Sequence, residues 1–206
     1  TIYSVDVTGN PSNCSYPHKH VILDEDSLKT AICHDYVCAE YKNSYRNGDN
    51  FIGSDCLPVD CDNDHSENPD DWVTPDDIMQ AFPGVSFAIH YSRYNNREKN
   101  GKAARPKFHV LFPIEYISDA SLYSDMKKLV NSIFPYFDTQ ALDAARFFFG
   151  TTTADVSIYP GRMNLTEFLN EDLFDEDLPD GQYDGSAIPE GSRRSEERRV
   201  GKECRS

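Results

Sequence analysis

The sequence contains no run of 18 apolar residues, so nothing in it reads as a membrane-spanning helix, and its opening lacks the basic-then-apolar order of a secretory leader. Both absences lead us to expect a cytoplasmic protein with no membrane partner. Cysteine is thin: Cys14, Cys33, Cys38, Cys56, Cys61 and Cys204 form no dense framework, which without a leader favours free thiols over disulfides. Cys33-His34 with Cys38 lacks the two-residue spacing of paired zinc ligands, so a zinc site is not expected there. Basic residues are scarce as well, with 20 Lys and Arg against 35 Asp and Glu and a formal charge of −15. A uniformly acidic surface would repel nucleic acid. No internal repeat is visible.

The distribution of charge changes that inference. Six basic residues (Arg93, Arg97, Lys99, Lys102, Arg105, Lys107) stand between positions 93 and 107 against one acid, Glu98, while acids gather at 60–77 and 171–180. The basic stretch reads either as a solvated loop or as an electrostatic contact for an anionic polymer. At 206 residues one main domain is expected. Thr1 opens a stretch already mixed and polar, from which we expect the record to begin partway into a longer protein. Residues 171–191 have the composition of a disordered acidic linker. The last fifteen residues, SRRSEERRVGKECRS, change composition abruptly and read as a vector-derived artefact over 192–206.

Between about 50 and 150 the local signals alternate. Cys56–Cys61 reads as a short strand; Thr74 as an N-cap with Pro75 at N1 starts a helix that ends near Pro83-Gly84; Val85–Ser92 reads as a second strand. Phe108–Phe112, closed by Pro113, gives a third strand. Leu122, Met126, Leu129, Val130 and Ile133 recur at helical spacing over 120–134, and a last strand is expected at Arg146–Phe149. A further helix-like stretch lies at Ser27–Asn43.

That order is β-α-β-β-α-β, an α+β fold of the RNA-recognition-like, split β-α-β or ferredoxin-like type, with helices on one face of the sheet and strands one and three adjacent. Strand alternation turns Val59 and Cys61 one way and Asp60 and Asp62 the other, and sets Phe108, Val110 and Phe112 opposite His109 and Leu111. Asp60, Asp62 and His109 are therefore expected together on an uncovered sheet face.

Two carboxylates at i and i+2 on one strand face suit Mg²⁺ or Mn²⁺, hard ions that take oxygen ligands and leave positions for phosphate oxygens. In two-metal phosphoryl transfer a third carboxylate normally completes the pair of sites. A calcium loop is the rival reading, since Asp60, Asp62, Asp64, Ser66, Asn68 and Asp71 fall at its liganding positions. Against it, His65 stands where glycine is required, the twelfth residue is Asp, and Pro58 sits where the last turn of a preceding helix would be.

The segments VDCDND (59–64), PKFHVLFP (106–113) and YFD (136–138) together resemble the three motifs of the archaeo-eukaryotic primase superfamily, a primase-polymerase family. In detail the likeness is closest to primases of plasmids, phages and other mobile elements, and it covers about residues 50–165. It implies DNA-templated nucleotidyl transfer, making or extending primers in replication, with two Mg²⁺ or Mn²⁺ ions, an NTP or dNTP substrate, a single-stranded DNA template and a helicase domain or subunit as a further partner. It implies that Asp60, Asp62 and Asp138 bind metal and that His109 contacts the nucleotide's phosphates. Lys107 stands where the family has a small residue, which reshapes the pocket or adds a phosphate contact. Arg146 is a candidate phosphate or base contact, Asp143 is a rival third acid or a turn cap, and Lys99, Lys102 and Arg105 would serve the template. His65 and His90 are expected to be structural. Residues 1–49 would be an N-terminal α/β extension of the primase domain and 50–170 its catalytic core. A noncatalytic single-stranded-DNA-binding replication module of the same fold is the alternative from another class.

Overall fold

The computed structural model describes residues 1–99 and 101–175, without the side chains of Lys99 and 171–175. The expectations for 176–191 and for the final fifteen residues lie outside the described residues. The described residues form a mixed α+β fold built on antiparallel sheets and four helices.

The N-terminal part forms a three-stranded sheet of β1 (Ile2–Ser4), β2 (His18–His20) and β3 (Tyr36–Val37), in the order β2-β1-β3, with α1 (Glu25–Ile32) between β2 and β3. The helix expected at Ser27–Asn43 is thus shorter and earlier. Asp24 caps it by accepting from the Ser27 amide while the Ser27 hydroxyl takes the Leu23 and Asp24 amides. It stops at Cys33, because the next residues are taken by a strand whose Tyr3↔Val37 and Ser4↔Tyr36 pairs close the small sheet.

The main sheet has five strands in the order β10-β6-β9-β5-β4, all antiparallel. These are β4 (Glu40–Tyr41), β5 (Phe51–Cys61), β6 (Phe87–Tyr91), β9 (Phe108–Ile117) and β10 (Val156–Tyr159). Between β6 and β9 the basic segment folds into a hairpin of β7 (Arg97–Lys99) and β8 (Lys102–Arg105), with Gly101 at φ +76° in its turn, a left-handed conformation that glycine adopts without strain. Pro113 does not end its strand. It pairs with Cys56 where the β5 register shifts, one of the few places a ladder accepts a residue without an N–H.

Three helices cover one face: α2 (Pro75–Ala81), α3 (Ala120–Ile133) and α4 (Leu165–Asp175). Ile78, Phe82, Tyr123, Val130, Leu165 and Phe168 bury against Leu57, Val59, Cys61, Phe108, Val110 and Phe112, so the inward set on β5 and β9 is the one that alternation assigns. Of the five residues at helical spacing on α3, Val130 is buried and Met126 packs partly buried against the core, while the other three lie outside. Tyr123, Lys127 and Val130 face inward, while Leu122 is 63 % exposed and Leu129 and Ile133 are also exposed.

The opposite face is not open. A second apolar cluster of Leu28, Ile32, Tyr36, Cys38 and Phe148 covers Cys56, Leu111 and Val156 there. This face carries apolar residues at Cys56 and Leu111 beside the polar ones, and the N-terminal unit buries them. The strand expected at Arg146–Phe149 is not formed; only Phe148 bridges to Tyr36, and the fourth long-range partner in the sheet is β10. The aromatic run is used for packing instead, with Phe148 against Tyr36 and His109. Helix α4 continues to Asp175, beyond residue 171 where the acidic linker was expected to begin. Among the described residues no helix is long and apolar enough to cross a membrane.

Candidate functional site

The ladder places Asp60 directly opposite His109, and His109 directly opposite His90, in one row across β5, β9 and β6. The three side chains share the face covered by the N-terminal unit and Phe148, near one end of the sheet, and all three are buried. His90 is fully buried, its ring held between the Tyr36 hydroxyl at 3.0 Å and the Thr151 hydroxyl at 3.1 Å. Burial, with His109 alongside, lowers its pKa well below the ordinary histidine value, so it is a neutral packing residue.

Asp60 is different. Its Oδ1 lies 3.1 Å from His109 Nδ1 and its Oδ2 lies 3.8 Å from Arg146 Nη2. The closer approach is not aligned for a hydrogen bond, and Asp60 Oδ1, His109 Nδ1 and Arg146 Nε are each buried without a hydrogen-bond partner. Burial raises the Asp60 carboxyl, but His109, Arg146 and Lys107 outweigh it and hold the group below the usual carboxylate range. Asp62, two residues on, moves the other way: burial and the charge of Asp60 raise it, against partial relief from Lys107. Asp62 lies one residue past the end of β5, outside the strand where alternation would pair it with Asp60, and the charge of Asp60 still opposes its ionisation.

Beside them opens a cleft of about 550 Å³ lined by Asp62, Asp64, Arg97, Lys102, Lys107 and Asp138, with the rings of His65 and Tyr136, also in its lining, tilted 45° against each other at 4.8 Å between centroids. Asp138 reaches this cleft although it belongs to no strand. Its amide donates to the Asp60 carbonyl at 2.8 Å, and its Oδ1 accepts from the Gln140 amide at 2.9 Å to cap a short 3₁₀ turn. Asp143, the rival third acid, does not line the cleft; it caps a turn by accepting from the Ala145 amide.

The basic residues divide. Lys102 is partly exposed and pairs with Asp64 at 3.1 Å, and Arg97 is exposed on the cleft wall. Arg105 is not a surface contact: it is fully buried, bonds the carbonyls of Asn63, Ser66 and Ala103 and the Glu67 carboxylate, and lies over Trp72. A guanidinium with five donors satisfies a whole loop there, which its place in a charge run does not reveal. Lys107 is also turned inward, 4 % exposed, between Asp62 and Asp64. The backbone of Lys99 sits in β7.

Among the described residues no three His, Cys, Asp or Glu side chains converge as metal ligands. The calcium pattern is dispersed in the same way. The Ser66 hydroxyl donates to Asp71, Asn68 caps Asp70, and Asp64 is taken by lysines. Arg93 was passed over as a particular contact by sequence reasoning. It lies 4.6 Å over Phe149 in a second cleft with Thr8, Ser92, Thr151 and Thr152, and its proximity to an aromatic run far along the chain left no local signal. The chain matches no family model, no curated protein and no solved structure.

Proposed function

We propose that the chain is a primase-polymerase of the archaeo-eukaryotic type, joining nucleotides on a single-stranded DNA template. The observation that carries this reading is a buried charge cluster, in which Asp60 Oδ1, His109 Nδ1 and Arg146 Nε have no hydrogen-bond partner, tied along the chain to Asp62 and by a backbone bond to Asp138, both of which line a cleft of acids and bases. A buried polar atom without a partner costs about 1–3 kcal/mol; a cation would meet Asp60 Oδ1 and a phosphate oxygen Arg146 Nε, so a cation-bound phosphate suits both. The succession β5-α2-β6-β9-α3, with β5 beside β9, supports an RNA-recognition-like core, with β4 and β10 flanking it.

Asp60 and Asp62 suit a Mg²⁺ or Mn²⁺ ion, because their donors are hard oxygens and a divalent cation relieves the repulsion that raises Asp62. Such an ion would supply charge neutralisation for the phosphates and acidify the attacking hydroxyl. His109 and Arg146 would orient phosphate oxygens of an NTP or dNTP from beside Asp60. Arg97 and Lys102 would face the polyphosphate or the template from the opposite wall. Asp138 is positioned rather than free, with one oxygen occupied as a cap and the other available to the cleft.

The noncatalytic single-stranded-DNA module remains the second reading, favoured by the lack of three converging ligands among the described residues. The deciding experiment is primer synthesis and primer extension on single-stranded DNA with Mg²⁺ or Mn²⁺, comparing the chain with Asp60→Ala plus Asp62→Ala. Product that disappears in the double variant supports the enzyme. DNA binding without any product, primer supplied or not, supports the module and overturns the enzyme.

A further inference from the structure

Lys107 immediately precedes β9, and both of its backbone polar groups are fixed: its amide donates to Asn95 Oδ1 at 3.0 Å and its carbonyl accepts from the Ser92 amide at 2.9 Å. With the backbone held and the side chain almost fully buried, the ammonium has a set destination. It lies 3.3 Å from Asp62 Oδ1 and 3.1 Å from Asp64 Oδ1. The remaining Asp64 oxygen is taken by Lys102 at 3.1 Å. Asp62, just past the end of β5, therefore feels the charge of Asp60 two residues back and pairs with a tethered cation shared with Asp64.

We infer that Lys107 is a built-in second cation, so that the centre takes one divalent ion, through Asp60 and Asp62, and not two. This rests on the metal-dependent reading above. A lysine ammonium is a compact point charge with three donors. Asp64 takes one of them in a hydrogen bond and Asp62 pairs with the charge at 3.3 Å, which leaves a donor for a phosphate oxygen in the cleft that Lys107 lines. A second divalent ion at Asp62 and Asp64 would have to expel an ammonium that cannot diffuse away and whose backbone is bonded on both sides. The arrangement also gives Asp64 a role: it balances the charge of Lys107 and Lys102 rather than ligating metal.

The test is a count of bound Mn²⁺ by electron paramagnetic resonance titration of the full chain. The parent is expected to bind one Mn²⁺ per chain, lost in Asp60→Asn. Lys107→Met is expected to gain a second, and Lys107→Met with Asp64→Asn to return to one. Two Mn²⁺ in the parent, or one in a Lys107→Met chain with native circular dichroism, overturns the inference; the parent count decides alone if Lys107→Met does not fold. A parent that binds two ions and makes primers refutes this inference while leaving the proposed function standing. A parent that binds one ion and makes no primer does the reverse, and a parent that binds none overturns the inference together with the metal-dependent reading.

Discussion

Lys127 offers a test of how the segment carrying Asp138 and Arg146 is held. It is fully buried on α3, where its ammonium donates to the Asp143 carbonyl at 3.0 Å and to the Ala141 carbonyl at 3.2 Å. Burial lowers its pKa from 10.5 to about 8, against partial support from Asp143. The folded state thus binds the proton less tightly than the unfolded one. Between about pH 8 and pH 10.5 the unfolded chain carries the extra proton, so stability rises with pH through that window. A shift of this size corresponds to about 3 kcal/mol in full, at a limiting slope of about 1.4 kcal/mol per pH unit. Urea unfolding of the parent and of Lys127→Met from pH 7 to pH 9.5 isolates the effect, because the remaining groups titrate alike in both. The parent should gain about 1–2 kcal/mol on the variant across that range. The variant should also be weaker above pH 9, having left two buried carbonyls without their donor at about 1–3 kcal/mol. Parallel pH profiles would refute the reasoning.

The two acids of the strand motif should respond oppositely to neutralisation. Asp60→Asn strands the charge of Arg146 and should destabilise the fold by about 2–4 kcal/mol, whereas Asp62→Asn relieves a repulsion and should cost less than about 1 kcal/mol, both measured by urea unfolding at pH 7. Equal losses would show that the carboxylates do not repel. The basic residues should likewise separate into two groups. Arg97→Ala and Lys102→Ala should each reduce the salt slope of single-stranded DNA binding by about 0.7 with little change in stability. Arg105→Lys should leave that slope unchanged while lowering stability by about 2 kcal/mol, since a single ammonium cannot replace a fork that bonds three carbonyls and Glu67.

The pairing of Asp60 with His109 was legible because two independent patterns, strand alternation and element order, both placed them on one face of neighbouring strands. The helix at Thr74-Pro75 was legible for a local reason, its capping residues. The cover over the polar face was not, because β1, β2 and β3 are two or three residues long and carry no periodicity of their own. The inward face of α3 is only partly legible, through Val130 and Met126, because it also includes a lysine that bonds carbonyls of a later loop, while Leu122 and Leu129 remain outside. Arg105 and Lys107 look alike in a charge run; only the hairpin and the loop at 63–67 decide that both turn inward.

The segment from Phe137 to Arg146 joins these threads. It contains one 3₁₀ turn and no strand, yet its carbonyls are bonded in sequence by side chains from elsewhere: Phe137 by Asn131, Ala141 and Asp143 by Lys127, Ala144 by Tyr41, and Ala145 by Arg46. Buried carbonyls must find donors, and here the donors come from α3, β4 and the loop after it. Asp138 is then tied to β5 through the Asp60 carbonyl, and Arg146 arrives beside the Asp60 carboxylate. An irregular chain held at both ends and along its length can place two functional side chains as accurately as a strand would. The donors that hold it, Asn131 and Lys127 above all, lie outside the cleft, so their loss should displace Asp138 and Arg146 together while leaving the Asp60 and His109 pairing, fixed by the sheet, where it is.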